Sequence, residues 1–319
     1  MGVMVDGEWH DAWYDTEATD GRFIRAQAQF RNWITANGSP GPSGEGGFTA
    51  AADRYHLYIG NACPWAHRTA IFRTLKGLAE MIPMSVVHWH MAAGGWTFAA
   101  GDGVVPDPIH NAEFTHEIYR AADPKYSGRV TIPILWDKKN NTIVSNESSE
   151  IIRMFNCAFD NLGASPGDYY PQALRDDIDS INARVYDTLN NGVYKCGFAT
   201  SQAAYDEAIT PLFETLDWLE NMLSDRTYLL GDTITEADWR LFTTLIRFDP
   251  VYVGHFKCNI RRLVDYPNLS RLTQMLYQHP GVAATVNMSH IKNHYYGSHE
   301  SINPSRVVPA GPARHIGAE

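Results

Sequence analysis

Cys63-Pro64 stands between a strand-like run, Tyr55-His56-Leu57-Tyr58-Ile59, and an amphipathic stretch from Arg68 to Leu78. Proline fits the first turn of a helix, where its missing N–H costs nothing. Cys63 is therefore expected at a helix tip just after a strand. The unpaired amides and the helix dipole there favour a thiolate, which lowers the thiol's pKa and makes it the nucleophile of thiol–disulfide exchange. The competing reading is a buried structural cysteine, the usual fate of a lone Cys; the Cys-Pro junction between strand and helix favours chemistry. Two residues beyond Pro64 stands Ala66, so the second thiol of a CxxC pair is missing. Cys63 can form a mixed disulfide but no local intramolecular one, and an external thiol must resolve it. His67 and Arg68 follow at once and either lower the pKa further or face outward and pack.

Downstream signals place this junction in an α/β sheet. Met84 to Trp89, Thr131 to Asp137 and Thr142 to Ser145 read as strands, and Glu147 to Asn156 reads as a helix. The order is β-α-β, a long insert, then β-β-α. From Leu174 the pattern turns helical over 174–194, 202–223, 236–247 and 268–278. Thr235-Glu236-Ala237-Asp238 is a capping box with a structural role. The fold class expected is α/β plus all-α: an N-terminal extension (1–50) with a short helix around Phe23 to Ile34, a thioredoxin-like domain (51–162), a helical domain (163–289) and a C-terminal extension (290–319). The tail from His290 onward holds Pro304, Pro309 and Pro312 and is expected to be irregular.

At 319 residues the chain is long enough for about two domains, and 44% hydrophobic with 19% charged residues reads as globular. A net charge of −10 offers no basic stripe for nucleic acid or anionic membrane. No run of eighteen apolar residues predicts a membrane span, and the N-terminus lacks the basic and apolar regions of a secretory signal. The four cysteines are far apart, as free thiols in a cytoplasmic protein would be. No metal is expected.

Three segments suit a short extended peptide such as glutathione. Pro133 opens a strand without donating to its ladder; in a thioredoxin-like fold that proline is cis, and Val130 beside it can pair with the peptide by strand addition. Glu147 and Ser148 open a helix, where first-turn amides suit the γ-glutamyl carboxylate and Glu147 its ammonium, unless both are plain cap residues. Trp96 in the insert either packs over the tripeptide or belongs to the core. Tyr194, near a helix end, and Tyr295 and Tyr296, in His294-Tyr295-Tyr296-Gly297-Ser298-His299, carry phenol protons that can be donated to an aromatic carbon or oxygen; packing is the alternative for each.

The chain resembles the glutathionyl-hydroquinone reductases, or Xi-class glutathione transferases, over nearly its whole length. The likeness runs through Phe30-Arg31-Asn32-Trp33-Ile34, Cys63-Pro64-Trp65-Ala66-His67-Arg68-Thr69, Gly95-Trp96, Arg129-Val130-Thr131-Ile132-Pro133, Asn146-Glu147-Ser148-Ser149 and the tail from His294 to Pro304. Omega-class transferases also use a Cys-Pro helix start, so the Cys-Pro-Trp-Ala motif and the tail are specific only together. The resemblance implies a homodimer and a cycle with glutathione as cosubstrate. In it Cys63 attacks the sulfur of a glutathionyl-hydroquinone, the hydroquinone leaves after protonation, and a second glutathione releases glutathione disulfide. It also implies that Trp96, Arg129, Val130, Glu147 and Ser148 hold glutathione, while Tyr194, Tyr295 and Arg247 face the aromatic group. Two other readings remain: an Omega-like thioltransferase or dehydroascorbate reductase, and a non-catalytic scaffold that binds ligands or partners.

Overall fold

The computed structural model describes residues 2–313 and Ile316. The chain divides into two compact units: Met1–Trp13, Ala26–Asp168 and Thr285–His294 form one, and Tyr14–Arg25, Tyr169–Ala284 and Tyr295–Glu319 the other.

The first unit opens with the antiparallel hairpin β1 (Val3–Val5) and β2 (Glu8–His10). Its main sheet begins at β3 (Tyr55–Ile59), which leads into helix α1 (Pro64–Leu75), and continues at β4 (Met84–Val86). Helix α2 (Thr115–Ala122), β5 (Gly128–Arg129), β6 (Ile134–Asp137), β7 (Thr142–Ser145) and helix α3 (Ser148–Cys157) follow. The four-stranded sheet has the order β4-β3-β6-β7, and β5 joins the hairpin instead. β3 and β4 are parallel, as a helical crossover requires, while β6 and β7 run antiparallel. All five residues of β3 are buried, including the polar His56, whose ring meets the Ser85 hydroxyl at 2.8 Å, which is why its sequence shows no alternation with exposed residues. α1 packs against both α3 and β3.

Two expected strands are shorter than their sequence signals. The segment from Thr131 becomes a strand only at Ile134, because Pro133 has no N–H for the ladder; the Ile132–Pro133 peptide is cis, as expected. The strand at Met84 ends at Val86, and the chain then turns so that the His88 N–H meets the Thr97 carbonyl at 2.8 Å.

The expected helix over Phe23 to Ile34 does not form. The Asn32 N–H instead donates to the Val144 carbonyl at 2.9 Å, and the Asn146 N–H to the Phe30 carbonyl at 3.1 Å. Arg31 bridges Ser145 like an added strand. Pairing with the edge of β7 satisfies these backbone groups, so tertiary context overrides local helical propensity.

The second unit is built on α4 (Arg175–Val185), α5 (Gly192–Gly197), α6 (Gln202–Met222), α7 (Glu236–Arg247) and α8 (Pro267–Tyr277). The periodic stretch 174–194 is not one helix, because a π-helical turn at Tyr186–Asn190 separates α4 from α5. A second π-helical turn, Phe248–Tyr252, extends α7. Such turns are frequent at functional sites. The capping box forms: the Asp238 carboxylate accepts from the Thr235 N–H and the Leu229 N–H, both at 2.9 Å. The tail is corrected in one respect. It holds a helix, α9 (Met288–Ser298), and becomes irregular only beyond it. All three tail prolines lie after Ser298, and fully buried Ile291 and Tyr295 anchor the helix. The division between the units falls within α9.

Candidate functional site

In the first unit Cys63 is the N-cap residue of α1, with Pro64 in the first turn. Its N–H donates to the Gly60 carbonyl and its carbonyl accepts from the His67 N–H, both at 3.0 Å. The sulfur, half-buried, donates to the Ile132 carbonyl at 3.6 Å. The strand end, the helix tip and the cis-proline loop thus converge on one thiol. Gly60 lies close to this loop: a Cβ there would stand 2.7 Å from the Ile132 side-chain methyl and 2.9 Å from that of Val87, so both would have to shift. Arg68 lays its guanidinium 4.6 Å from the Trp65 ring centroid, and the His67 ring meets the Thr285 hydroxyl at 2.8 Å.

The cis-proline loop is held from behind. The buried Tyr119 hydroxyl donates to the Thr131 carbonyl at 2.8 Å and accepts from the Asn146 amide at 2.9 Å. Burial pushes the Tyr119 pKa up, so it remains a donor. Val130 is buried beside this loop. Arg129 donates to the Ala12 carbonyl and, at 2.9 Å, to the Trp13 carbonyl, which ties down the N-terminal arm. At α3, Glu147 is the N-cap and its carboxylate accepts from the Ser149 N–H at 3.0 Å and the Ser149 hydroxyl at 2.8 Å. Ser148 follows, buried in the first turn. Trp96 is buried and stacks on His294 with ring centroids 4.6 Å apart; the His294 ring is fixed by the Trp89 carbonyl at 2.8 Å.

The second unit holds an aromatic cluster. Tyr194, in the first turn of α5, and Tyr295, in α9, share a hydrogen bond of 2.5 Å between hydroxyls. The Tyr252 hydroxyl lies 3.2 Å from that of Tyr295. Phe256 packs on Tyr194, Tyr252 and Tyr295, and a side chain at Gly197 would collide with it at 2.2 Å. Burial drives the Tyr295 pKa well up, and neighbouring Tyr194 and Tyr252 push the same way, while the Arg247 cation pulls it down. Tyr295 is thus a phenol at any physiological pH. Arg247 is fully buried and donates to the Thr243 carbonyl at 2.8 Å. Tyr296 turns away from its neighbour: its hydroxyl reaches the Pro250 carbonyl at 3.4 Å, and it lines a separate cavity of about 420 Å³ with Gly254, His255 and Asn303.

Within the first unit the structure gathers Cys63 and Pro133, and within the second Tyr194, Tyr295 and Arg247. Sequence reasoning passed over Ile132, whose carbonyl meets the thiol; its position directly before Pro133 was the available signal. It also passed over Tyr252, set in a π-helical turn that no motif announces. Among the described residues no group of three or more His, Cys, Asp or Glu side chains can hold a metal ion, and no helix is long and apolar enough to cross a membrane.

Two family patterns match. Residues 62–157 fit the glutathione S-transferase N-terminal domain and residues 202–274 the glutathione S-transferase C-terminal domain. The chain is 59% identical to the glutathionyl-hydroquinone reductase PcpF of Sphingobium chlorophenolicum, covering 99% of this chain and 98% of that one. The glutathione-bound structure of YqjG, a glutathione transferase homologue from Escherichia coli K-12, superposes with a TM-score of 0.92 at 55% identity, over 99% of this chain and 97% of that one. The glutathione S-transferase Xi of Phanerochaete chrysosporium superposes with a TM-score of 0.87 at 51% identity, over 91% and 98%.

Proposed function

Since the chain belongs to the glutathionyl-hydroquinone reductases, the Xi class of the glutathione transferase family, we propose that it reduces glutathionyl-hydroquinones to hydroquinones at the expense of glutathione. The observation that carries this reading is the lone thiol of Cys63 at the tip of α1, beside the cis-proline loop and with Ala66 where a second thiol would stand.

The cycle balances. The Cys63 thiolate attacks the glutathionyl sulfur; the carbon–sulfur bond breaks, and its electron pair leaves with the aryl group. A proton from Tyr194, backed by Tyr295, completes the hydroquinone and leaves a phenolate. A second glutathione attacks the Cys63 mixed disulfide, gives its thiol proton back to the phenolate and departs as glutathione disulfide. With Ala66 in place of a cysteine, no internal thiol competes for the mixed disulfide.

In this reading Trp96, Arg129, Val130, Pro133, Glu147 and Ser148 hold glutathione. The backbone of Val130, beside the cis-proline loop, suits main-chain pairing with the tripeptide, and the tip of α3 suits its γ-glutamyl carboxylate. Arg247 stands behind the tyrosines, while Tyr296, expected from the sequence to join the aromatic wall, lines a separate cavity and stays outside it. The protein acts as a cytoplasmic homodimer, a state that light scattering of the purified protein tests.

Incubation with glutathionyl-menadiol and glutathione decides the activity. Wild type is expected to release menadiol and to carry a glutathione adduct on Cys63 in intact-mass spectra. No release, or faster turnover of dehydroascorbate than of the glutathionyl-hydroquinone, rejects the assignment.

A further inference from the structure

Arg25 lies in the short stretch of the N-terminal arm that belongs to the second unit, and it sits on the face of Tyr194. Its guanidinium carbon is 4.7 Å from the Tyr194 ring centroid and 5.3 Å from that of Phe23. Its Nε donates to the Asn191 side-chain oxygen at 2.8 Å. The Asn191 carbonyl in turn accepts the Tyr194 N–H at 3.0 Å. One residue thus caps the turn that presents Tyr194 and also steers the cation onto its ring. Phe23, buried and packed on Phe198, lies beside Tyr194 with ring centroids 6.4 Å apart, so the two rings flank the guanidinium at an angle.

We infer that Arg25 is a positioning residue for the reaction: held by Asn191, its charge stabilises the phenolate that Tyr194 becomes when it gives up its proton. The inference rests on the reading that Tyr194 is the proton donor. A cation over an aromatic face is attracted to the ring, and attraction to the anionic ring is stronger still, so the charge strengthens as the proton leaves. Arg25 is a cation stacked directly on the Tyr194 ring. Tyr295 and Tyr252 bring hydroxyls and aromatic rings to the cluster, and the Arg247 cation pulls the Tyr295 pKa down. His255 and His299 pack on Tyr295, and burial lowers the His255 pKa to about 4, leaving that ring neutral at pH 7. Lys195, next in sequence, is paired with Asp187 at 2.6 Å. Nothing in the sequence around Phe23-Ile24-Arg25 announces the role.

The test is single-turnover menadiol release from glutathionyl-menadiol across pH, with ultraviolet difference titration of Tyr194 against a Tyr194→Phe protein. Removing the cation raises the phenol pKa, so the alkaline limb, where the donor loses its proton, moves upward. Arg25→Gln is expected to slow release about tenfold and to move both the limb and the titration up by about one unit. Arg25→Lys keeps most of the wild-type position. Asn191→Asp keeps the shape but neutralises the charge, and is expected to move the limb the same way; it also serves if Arg25→Gln does not fold. An unmoved titration in both Arg25→Gln and Asn191→Asp overturns the inference, as does equal loss of rate in Arg25→Lys and Arg25→Gln with no shift. If wild type releases no menadiol, the functional reading falls, and the spectroscopic titration still decides the role of Arg25.

Discussion

The Cys63 sulfur faces the carbonyl oxygen of Ile132 at 3.6 Å, with the thiol as donor. A carbonyl accepts a proton and offers nothing to an anion, so this contact favours the protonated thiol and opposes the pull of the α1 amides. Ionisation must break it, and a bound glutathione that engages the cis-proline loop removes the opposition. Alkylation of Cys63 is nevertheless expected to slow when S-methylglutathione, which has no free thiol, occupies the cradle, because the glutathionyl sulfur then lies against Cys63 as attack requires. The measurement is the rate of iodoacetamide labelling against pH, with and without that analogue. Cys63→Ser is expected to abolish turnover, because a serine hydroxyl does not ionise in this range.

Glu147 stands at a junction of two roles that a pair of substitutions separates. Its carboxylate caps α3 through Ser149, and in the proposed function it also answers the glutathione ammonium. Glu147→Gln keeps an oxygen for the cap and removes the charge. The KM for glutathione is expected to rise by about tenfold or more, since a hydrogen bond to a charged group contributes about 1.5–3 kcal/mol, while the melting temperature stays near that of wild type. Glu147→Ala loses the cap as well, at about 1 kcal/mol of stability. A glutathione KM unchanged in Glu147→Gln leaves Glu147 a cap residue alone.

The parts of the fold legible in the sequence are those in which local chemistry and tertiary role agree. The β3 run, Cys63-Pro64 at the start of α1, Pro133 on its loop and the Thr235–Asp238 box each carry their signal within a few residues. The arm misled because Phe30 to Asn32 spend their backbone hydrogen bonds on residues more than a hundred positions away. α9 was hidden because its anchors, Ile291 and Tyr295, need a partner surface that local sequence does not reveal. Tyr252 and Arg25 were invisible for a related reason. A π-helical turn and a cation stacked on a distant ring leave no periodicity or motif behind.

Arg129 ties the arm to β5 through the Ala12 and Trp13 carbonyls. Each bond from a guanidinium to a carbonyl is charge-assisted, and losing the pair is expected to cost about 2–4 kcal/mol locally. Arg129→Met should release the segment after β2 while the β1–β2 hairpin remains. Limited proteolysis followed by mass spectrometry reads this directly, as faster cleavage around Trp13 to Glu17. Cleavage at the wild-type rate would mean that other contacts hold the arm.

Stability should fall as the solution is acidified, and the sign follows from three buried groups. Burial lowers the pKa of His56 and of His255 to about 4 from a usual 6.5. Between those values the unfolded chain takes up a proton at each histidine and the folded chain does not. Folding therefore loses on the order of 3 kcal/mol per histidine from pH 6.5 down to about 4. Asp238 opposes this. Burial raises its pKa to about 6, so the folded state binds that proton first and gains a comparable amount as pH falls from about 6 toward 4. Two histidines against one aspartate leave a net loss, and His56→Gln, which can still bond the Ser85 hydroxyl that His56 meets at 2.8 Å, should remove much of it. Urea unfolding at pH 7, 6, 5 and 4 on both proteins gives the slopes, and an acid slope in His56→Gln equal to that of wild type would remove His56 from the account.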